Sequence, residues 1–166
     1  RSLLACFLQS MYLYFRPLQL RGPAEVDGLD LSYLVKQSMD RSRQSGDIFW
    51  GLRTYYCGRE LAKTVRITRC LYPYENLVRE KMLLLGIRSV SPQTRMVGYQ
   101  HAAVSLGHTN FMFQKGEAKV NPFPEMILTT GNVTKKWLEK EGNYPSGILN
   151  TACGLRQIQP SQADGW

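Results

Sequence analysis

Short apolar or β-branched runs alternate with helix-like stretches along the carboxyl-terminal two thirds of the chain. Strands are predicted at about 65–71, 95–100, 125–129 and 147–152, with helices at about 76–89 and 133–140. This alternation is typical of parallel β-α-β construction, in which right-handed crossovers bring the carboxyl ends of the strands to one edge. The pattern therefore predicts an α/β fold, a Rossmann-like three-layer domain with a mainly parallel sheet.

The first 63 residues have a different pattern, that of helices separated by polar or Pro/Gly-containing segments. Residues 1–15 are apolar almost throughout, but a bilayer-spanning helix needs roughly 20 residues. We therefore expect a buried or interface helix here, with contact to another domain or to a membrane as the alternatives. Residues 16–28 are predicted to be a loop, and Asp30 and Asp47 are placed to cap two further helices.

We expect one Rossmann-like domain over residues 1–157, helical over 1–63 and β-α-β over 64–157. The polar segment 158–166 is predicted to be a tail or the start of an inter-domain linker. Because the chain opens on Arg1 within an apolar helical pattern, we expect it to be a fragment of a longer protein.

Charge and cysteine content narrow the function only slightly. The formal net charge is +8, which assists binding of phosphates, nucleic acid or an anionic membrane. The basic residues are spread along the chain, so the small groups at Arg41–Arg43 and Lys135–Lys136 are predicted to be solvated faces rather than a nucleic-acid patch. The four cysteines form no C-x-x-C pair and have no histidine at metal spacing, which favours reduced thiols in the cytoplasm and gives no support for a zinc site.

Polar and aromatic residues follow the first predicted strand. Glu75 and Asn76 come at the start of the following helix, where they can either cap it or bind a ligand. Tyr74 precedes them, and an exposed aromatic ring there would suit a sugar or base. These three residues are candidates for a ligand site.

The later strand ends add further candidates. His101 follows Gln100 after the second strand and could act as a general acid or base or contact a phosphate. Thr130 and Asn132 lead into the second helix of the alternating part, where backbone amides can receive an anion, although Asn132 can equally be an ordinary cap. Arg156 after the fourth strand could bind phosphate.

Four motifs in order resemble those of bacterial surface-carbohydrate glycosyltransferases of the GT-B kind. They are Tyr72-Pro73-Tyr74-Glu75-Asn76 with Glu80-Lys81, Gly98-Tyr99-Gln100-His101, Pro124 to Gly131, and Cys153-Gly154-Leu155-Arg156. The resemblance implies the amino-terminal, acceptor-side half of a metal-independent enzyme. In it, His101 and Glu75 would be the catalytic candidates, and Tyr74, Asn76, Gln100, Thr130, Asn132 and Arg156 would contact substrate.

The same resemblance implies the partners. The donor would be a nucleotide-sugar, used as a substrate rather than a cofactor and held mostly by a missing carboxyl-terminal domain. The acceptor would be a glycan or a lipid-linked glycan of lipopolysaccharide or capsule, handled in the cytoplasm with peripheral contact to the inner membrane. Two alternatives stay open: a non-catalytic α/β domain that binds a nucleotide or nucleic acid, and half of a nucleotide-sugar epimerase.

Overall fold

The chain divides into two compact units. The structure, a computed structural model, describes residues 2–16, 22–26, 28–105, 107–114 and 116–152. The first unit comprises residues 1–66 and 82–92, and the second comprises residues 67–81 and 93–166. The single domain expected over residues 1–157 stays a prediction, and the proposed linker 158–166 lies outside the described residues.

The first unit is mainly helical. Its three complete helices are α1 (Ser2–Phe15), α2 (Ser32–Gln44) and α3 (Asp47–Thr64), and it also contains most of α4 (Val78–Arg88). A small antiparallel ladder pairs β1 (Glu25–Val26) with β2 (Leu29–Asp30), in a region where the sequence predicted only a loop. Within this unit Gly86 of α4 lies so close to the Tyr55 carbonyl of α3 that a Cβ atom would stand 2.1 Å from the oxygen.

Both predicted helix caps in this unit differ from the structure. The cap position of α2 is occupied by Leu31, and Asp30 lies one residue before it, at the end of β2. The Asp30 carboxylate still accepts the Ser32 N–H at 2.8 Å. The Ser32 hydroxyl lowers the pKa of Asp30 most, and the bond from the Ser32 N–H lowers it further. Asp47 is the first helical residue of α3 rather than its cap, because Gly46 takes the left-handed conformation there.

Helix α1 packs on α3 through only one side. Cys6 is fully buried, and the Tyr56 hydroxyl of α3 donates to Gln9 at 2.9 Å. The other side of α1 is exposed, so α1 is not a buried helix over most of its surface, and the interface alternative stays a prediction. No helix within the described ranges combines the length and apolarity that crossing a membrane would require.

The second unit contains a four-stranded, all-parallel sheet. Its strands are β3 (Arg69–Pro73), β4 (Arg95–Tyr99), β5 (Met126–Thr129) and β6 (Leu149–Thr151), and they lie side by side in chain order. Helix α5 (Asn132–Glu141) packs on β5 and β6, with Leu138 fully buried. Two short 3-10 turns, Thr109–Phe111 and Glu117–Lys119, lie in the long connection between β4 and β5. The predicted Rossmann-like α/β class is confirmed.

The register of the sheet sets where the polar residues emerge. Pro73 at the end of β3 pairs with Tyr99 at the end of β4, and the Tyr74 N–H continues the ladder to the Tyr99 carbonyl at 2.8 Å. The strand predicted from residue 65 begins at Arg69, since β4 offers pairing partners only from Arg95 onward. Residues just after β3 and β4 therefore leave the sheet as neighbours.

An aromatic cluster packs beside this edge. Its members contact one another edge-on or tilted, with ring centroids 4.9–6.5 Å apart, and are Tyr72, Tyr74, Phe111, Phe113, Phe123 and Tyr144. Gly98 in β4 provides room for one ring, because a Cβ atom at this position would lie 2.9 Å from the Tyr74 Cβ and 3.0 Å from its ring. The absence of a side chain at residue 98 is thus a packing requirement of Tyr74.

Substitution of Gly98 by alanine tests this requirement. Alanine normally stabilises a strand relative to glycine by about 0.5–1 kcal/mol, but the clash with Tyr74 should reverse the sign and cost about 1–3 kcal/mol. Urea denaturation followed by circular dichroism measures the change. Gly131→Ala is the matched control, since nothing lies within 4 Å of a Cβ there; equal stability of the two variants would contradict the packing argument.

Candidate functional site

An acidic and an imidazole side chain meet at the carboxyl edge of the sheet. Glu75 follows β3 and His101 follows β4, and the Glu75 Oε1 lies 3.4 Å from the His101 Nε2. The His101 side chain is 48% exposed and that of Glu75 is 34% exposed, so both are open to solvent while in contact. A carboxylate can orient an imidazole and stabilise its protonated form, which is the arrangement general base catalysis uses.

The backbone of Glu75 is held on its amide side by Glu80. The Glu80 carboxylate accepts the Glu75 N–H through both oxygens, at 3.0 and 3.1 Å, and the Leu77 N–H at 3.3 Å. Glu80 is the third residue of α4 and reaches back to the N–H groups ahead of the helix, as the acidic member of a capping box does. Burial raises the pKa of Glu80, and these backbone hydrogen bonds oppose that shift.

The carbonyl side of Glu75 is held by Asn110. The Asn110 Nδ2 donates to the Glu75 carbonyl at 2.5 Å, while the Asn76 Nδ2 donates to the Asn110 carbonyl at 2.6 Å. Asn76 takes a left-handed backbone with φ of 58°, which asparagine tolerates better than most residues. This reciprocal pair joins the turn after β3 to the long loop after β4 and leaves the Glu75 carboxylate facing His101.

Gln100 lies beneath the edge and is fully buried. Its Oε1 accepts both the backbone N–H and the hydroxyl of Thr130 at 3.2 Å, and its Nε2 donates to the Ala102 carbonyl. The Gln100 N–H donates to the Leu128 carbonyl at 2.8 Å. Gln100 therefore joins the ends of β4 and β5, and its burial leaves it no exposure that would let it contact a substrate.

The carboxyl end of β5 is also held by hydrogen bonds from side chains to the backbone. The hydroxyl of buried Thr129 donates to the Asn150 carbonyl at 3.2 Å or to that of Gly131 at 3.1 Å. Helix α5 begins at Asn132, whose Oδ1 accepts the Thr151 hydroxyl at 2.7 Å. The alternative that Asn132 is an ordinary cap is wrong, because its side chain is engaged by the end of β6.

Tyr74 is placed differently from the expectation. It is 2% exposed, inside the aromatic cluster, so no ring face is open for a sugar. Its hydroxyl and that of Tyr144 are buried near each other, and neither makes a hydrogen bond of good geometry with a described residue. Burial raises the pKa of both phenols, so both stay protonated at neutral pH.

The structure thus brings together most of the predicted residues but gives them different roles. Glu75 and His101 form the exposed pair, Asn76 and Gln100 hold the loops, and Thr130 is tied to Gln100. Arg156 lies outside the described residues. His108 in the long loop accepts the Ser105 N–H at its Nδ1, at 3.2 Å, and so engages its own turn.

Glu80 is the site residue to which the sequence reasoning assigned no role. The sequence predicted that the helix after β3 begins at about residue 76, with Glu75 or Asn76 as its cap. Helix α4 instead begins at Val78, and Glu80 supplies the capping bonds. The available signal was an acidic residue at the third helical position, which is characteristic of a capping box.

Two features of the described residues bear on ligand binding. No group of three or more His, Cys, Asp or Glu side chains within the described ranges is arranged to hold a metal ion. Cys6, Cys57 and Cys70 are free thiols.

Comparison with protein-family models, with curated proteins and with solved structures finds no match to this chain.

Replacing Gln100 by glutamate should strongly destabilise the protein at neutral pH. The change removes the donor to the Ala102 carbonyl and sets a buried negative charge beside it, which costs at least about 1–3 kcal/mol for the unmade bond alone. Protonation of the introduced carboxyl restores a donor, so part of the loss should be recovered at acidic pH. Urea denaturation of this variant and of exposed Gln37→Glu measures the effect, and equal losses in the two would contradict the buried role.

Glu80 should give the stability of the protein a specific pH dependence. Because burial raises its pKa above the ordinary value of about 4.3, the folded state binds this proton more tightly than the unfolded chain. Its contribution to the free energy of unfolding is therefore fully present below the unfolded pKa and is lost as the pH rises through the folded pKa. Glu80→Gln should flatten this dependence in urea denaturation across the acidic range, whereas an unchanged profile would show that Glu80 is not the titrating group.

Proposed function

We propose that this chain forms the acceptor side of a glycosyltransferase, which moves a sugar from a nucleotide-sugar donor to a surface-polysaccharide acceptor. The observation that carries the proposal is the exposed contact of His101 with Glu75 at the carboxyl edge of a parallel sheet. Ligands of such sheets bind at this edge. The order of the four sequence motifs supports the same assignment, and the donor is expected to bind mainly to a second domain.

In the proposed reaction, His101 acts as the general base. With its Nε2–H directed to the Glu75 carboxylate, the imidazole has Nδ1 left to accept the proton of an acceptor hydroxyl. The hydroxyl oxygen then bonds to the anomeric carbon of the donor sugar, and the bond from that carbon to the nucleotide diphosphate breaks, with the electron pair leaving on the diphosphate. Glu75 stabilises the imidazolium formed, and the proton stays on His101 until solvent removes it.

The arrangement of basic residues favours this reading over nucleic-acid binding. Arg43 pairs with Asp40 at 3.0 Å, and Lys135 pairs with Glu139 at 3.6 Å. Each charge is offset by a carboxylate on its own helix, which weakens the attraction to phosphates that a nucleic-acid surface needs. We place the reaction in the cytoplasm as part of the same proposal.

Nuclear magnetic resonance titration of the chain tests the proposal. The probes are purified lipopolysaccharide-core and capsule oligosaccharides, with UDP and a short single-stranded RNA for comparison. We expect an oligosaccharide to shift the signals of His101 and Glu75. Glu75→Gln and His101→Asn should each weaken that binding about tenfold, since a hydrogen bond to a charged group is worth about 1.5–3 kcal/mol.

Glu139→Gln serves as the control, because it removes an exposed carboxylate of α5 that pairs only locally with Lys135. It should leave oligosaccharide binding unchanged. Salt-sensitive RNA binding that shifts Arg41, Arg43 and Lys135 while His101 and Glu75 stay silent would overturn the proposal in favour of a nucleic-acid-binding domain. Binding of UDP alone at this edge would favour a nucleotide-binding domain or an epimerase half.

A further inference from the structure

Helix α1 presents a wide, uninterrupted apolar surface. Successive residues of a helix are about 100° apart, so Leu3 and Tyr12 mark the two borders of an arc of about half the circumference. Every residue within this arc is apolar and exposed, including Leu4, Phe7, Leu8 and Phe15. We call this surface the α1 arc; the opposite side of the helix carries buried Cys6 and packs on α3.

The apolar side chains of the α1 arc are more exposed to solvent than is usual for a surface helix. Leu3 and Phe15, near its two ends, are each 71% exposed, and Leu4 is 62% exposed. Isolated apolar side chains on a surface are ordinary, but a contiguous patch of this kind marks an interaction site. The helix contains no acidic residue that would oppose its transfer out of water.

Cationic groups border the arc. The Arg16 guanidinium lies 5.5 Å from the centre of the Tyr12 ring, at the carboxyl end of the helix. Arg43, whose charge is partly offset by Asp40 at 3.0 Å, lines an apolar cavity of about 220 Å³ together with Phe7, Met11 and Tyr14. The first unit as a whole contains more arginine and lysine than aspartate and glutamate. Apolar and aromatic side chains flanked by arginines fit the interface of an anionic bilayer, where aromatic rings and cations concentrate.

We propose that the α1 arc binds the surface of a membrane containing anionic lipids, with α1 lying in the plane of the interface. The 14 residues of α1 are about 21 Å long, which is the length of apolar surface that would lie along the interface. A fluid bilayer adapts to such an apolar surface, whereas a protein partner must supply a surface of matching shape. This inference is carried by the first unit and does not depend on the proposed glycosyltransferase activity.

Vesicle co-sedimentation of the whole chain tests the inference. We expect binding to vesicles of phosphatidylcholine with phosphatidylglycerol, and weaker binding to phosphatidylcholine alone. The paired substitution Leu8→Ser with Phe15→Ser should reduce binding at least about a hundredfold, because burial of each side chain strengthens binding by at least about tenfold. Arg16→Gln should reduce only the part that depends on anionic lipid and on low salt.

The matched control is Val120→Ser with Val133→Ser, which removes two apolar side chains that are 83% and 85% exposed in the second unit. This control should bind like the wild type. Thermal unfolding of each variant by circular dichroism checks that the fold is retained, as expected for residues already exposed. The inference is overturned if the wild type does not bind anionic vesicles, or if the α1 substitutions leave binding unchanged. It is also overturned if sedimentation velocity shows that the arc instead pairs two copies of the chain.

Discussion

The parallel register of β3 and β4 is the constraint on which the candidate site depends. Pairing of Pro73 with Tyr99 makes the two strands end at the same level, and the Tyr74 N–H extends the ladder by one further bond. Glu75 and His101 are the second residues beyond those paired ends, so they emerge side by side. A slip of one residue would exchange the faces of every side chain in one strand, and the contact between the carboxylate and the imidazole would be lost.

The polar groups around this edge divide into a supporting layer and an exposed layer. The supporting layer consists of side chains that hydrogen-bond to backbone groups of the turns, namely those of Glu80, Asn110 and Gln100. Backbone groups left without partners at a buried strand end are costly, so these side chains stabilise the loops whatever the edge binds. Their engagement leaves Glu75 and His101 as the exposed ionisable pair of this part of the edge.

The two units differ in how they bury apolar side chains. The second unit closes its core with the aromatic cluster around Tyr74 and with buried residues of the sheet such as Met96 and Ile127. The first unit leaves one whole side of α1 in solvent, although the residues there are as apolar as those of a core. Because of this contrast we propose different partners for the two surfaces: a polar ligand at the sheet edge and a lipid surface at α1.

Much of the fold could be predicted because its signals are local. Apolar runs of strand length alternate with helical stretches, and this alternation implies a parallel sheet whatever the details of packing. Residues directly after β3 and β4 were correctly grouped as neighbours, since topology alone brings those strand ends together. The small ladder of β1 and β2 was not predicted, because strands of two residues are too short to show a periodic pattern.

The side-chain roles could not be read from the same signals. Whether Tyr74 offers its ring to a ligand or buries it depends on Gly98 of the neighbouring strand and on Phe111 and Phe123 of the long loop. The left-handed turn at Asn76 is held by Asn110, which lies 34 residues further along the chain. The sequence by itself determined the parallel α/β class and the chemistry available at the strand ends, because both follow from short-range patterns. Only the tertiary structure decided which of those groups support the loops and which face solvent, because that choice depends on contacts between residues far apart in the chain.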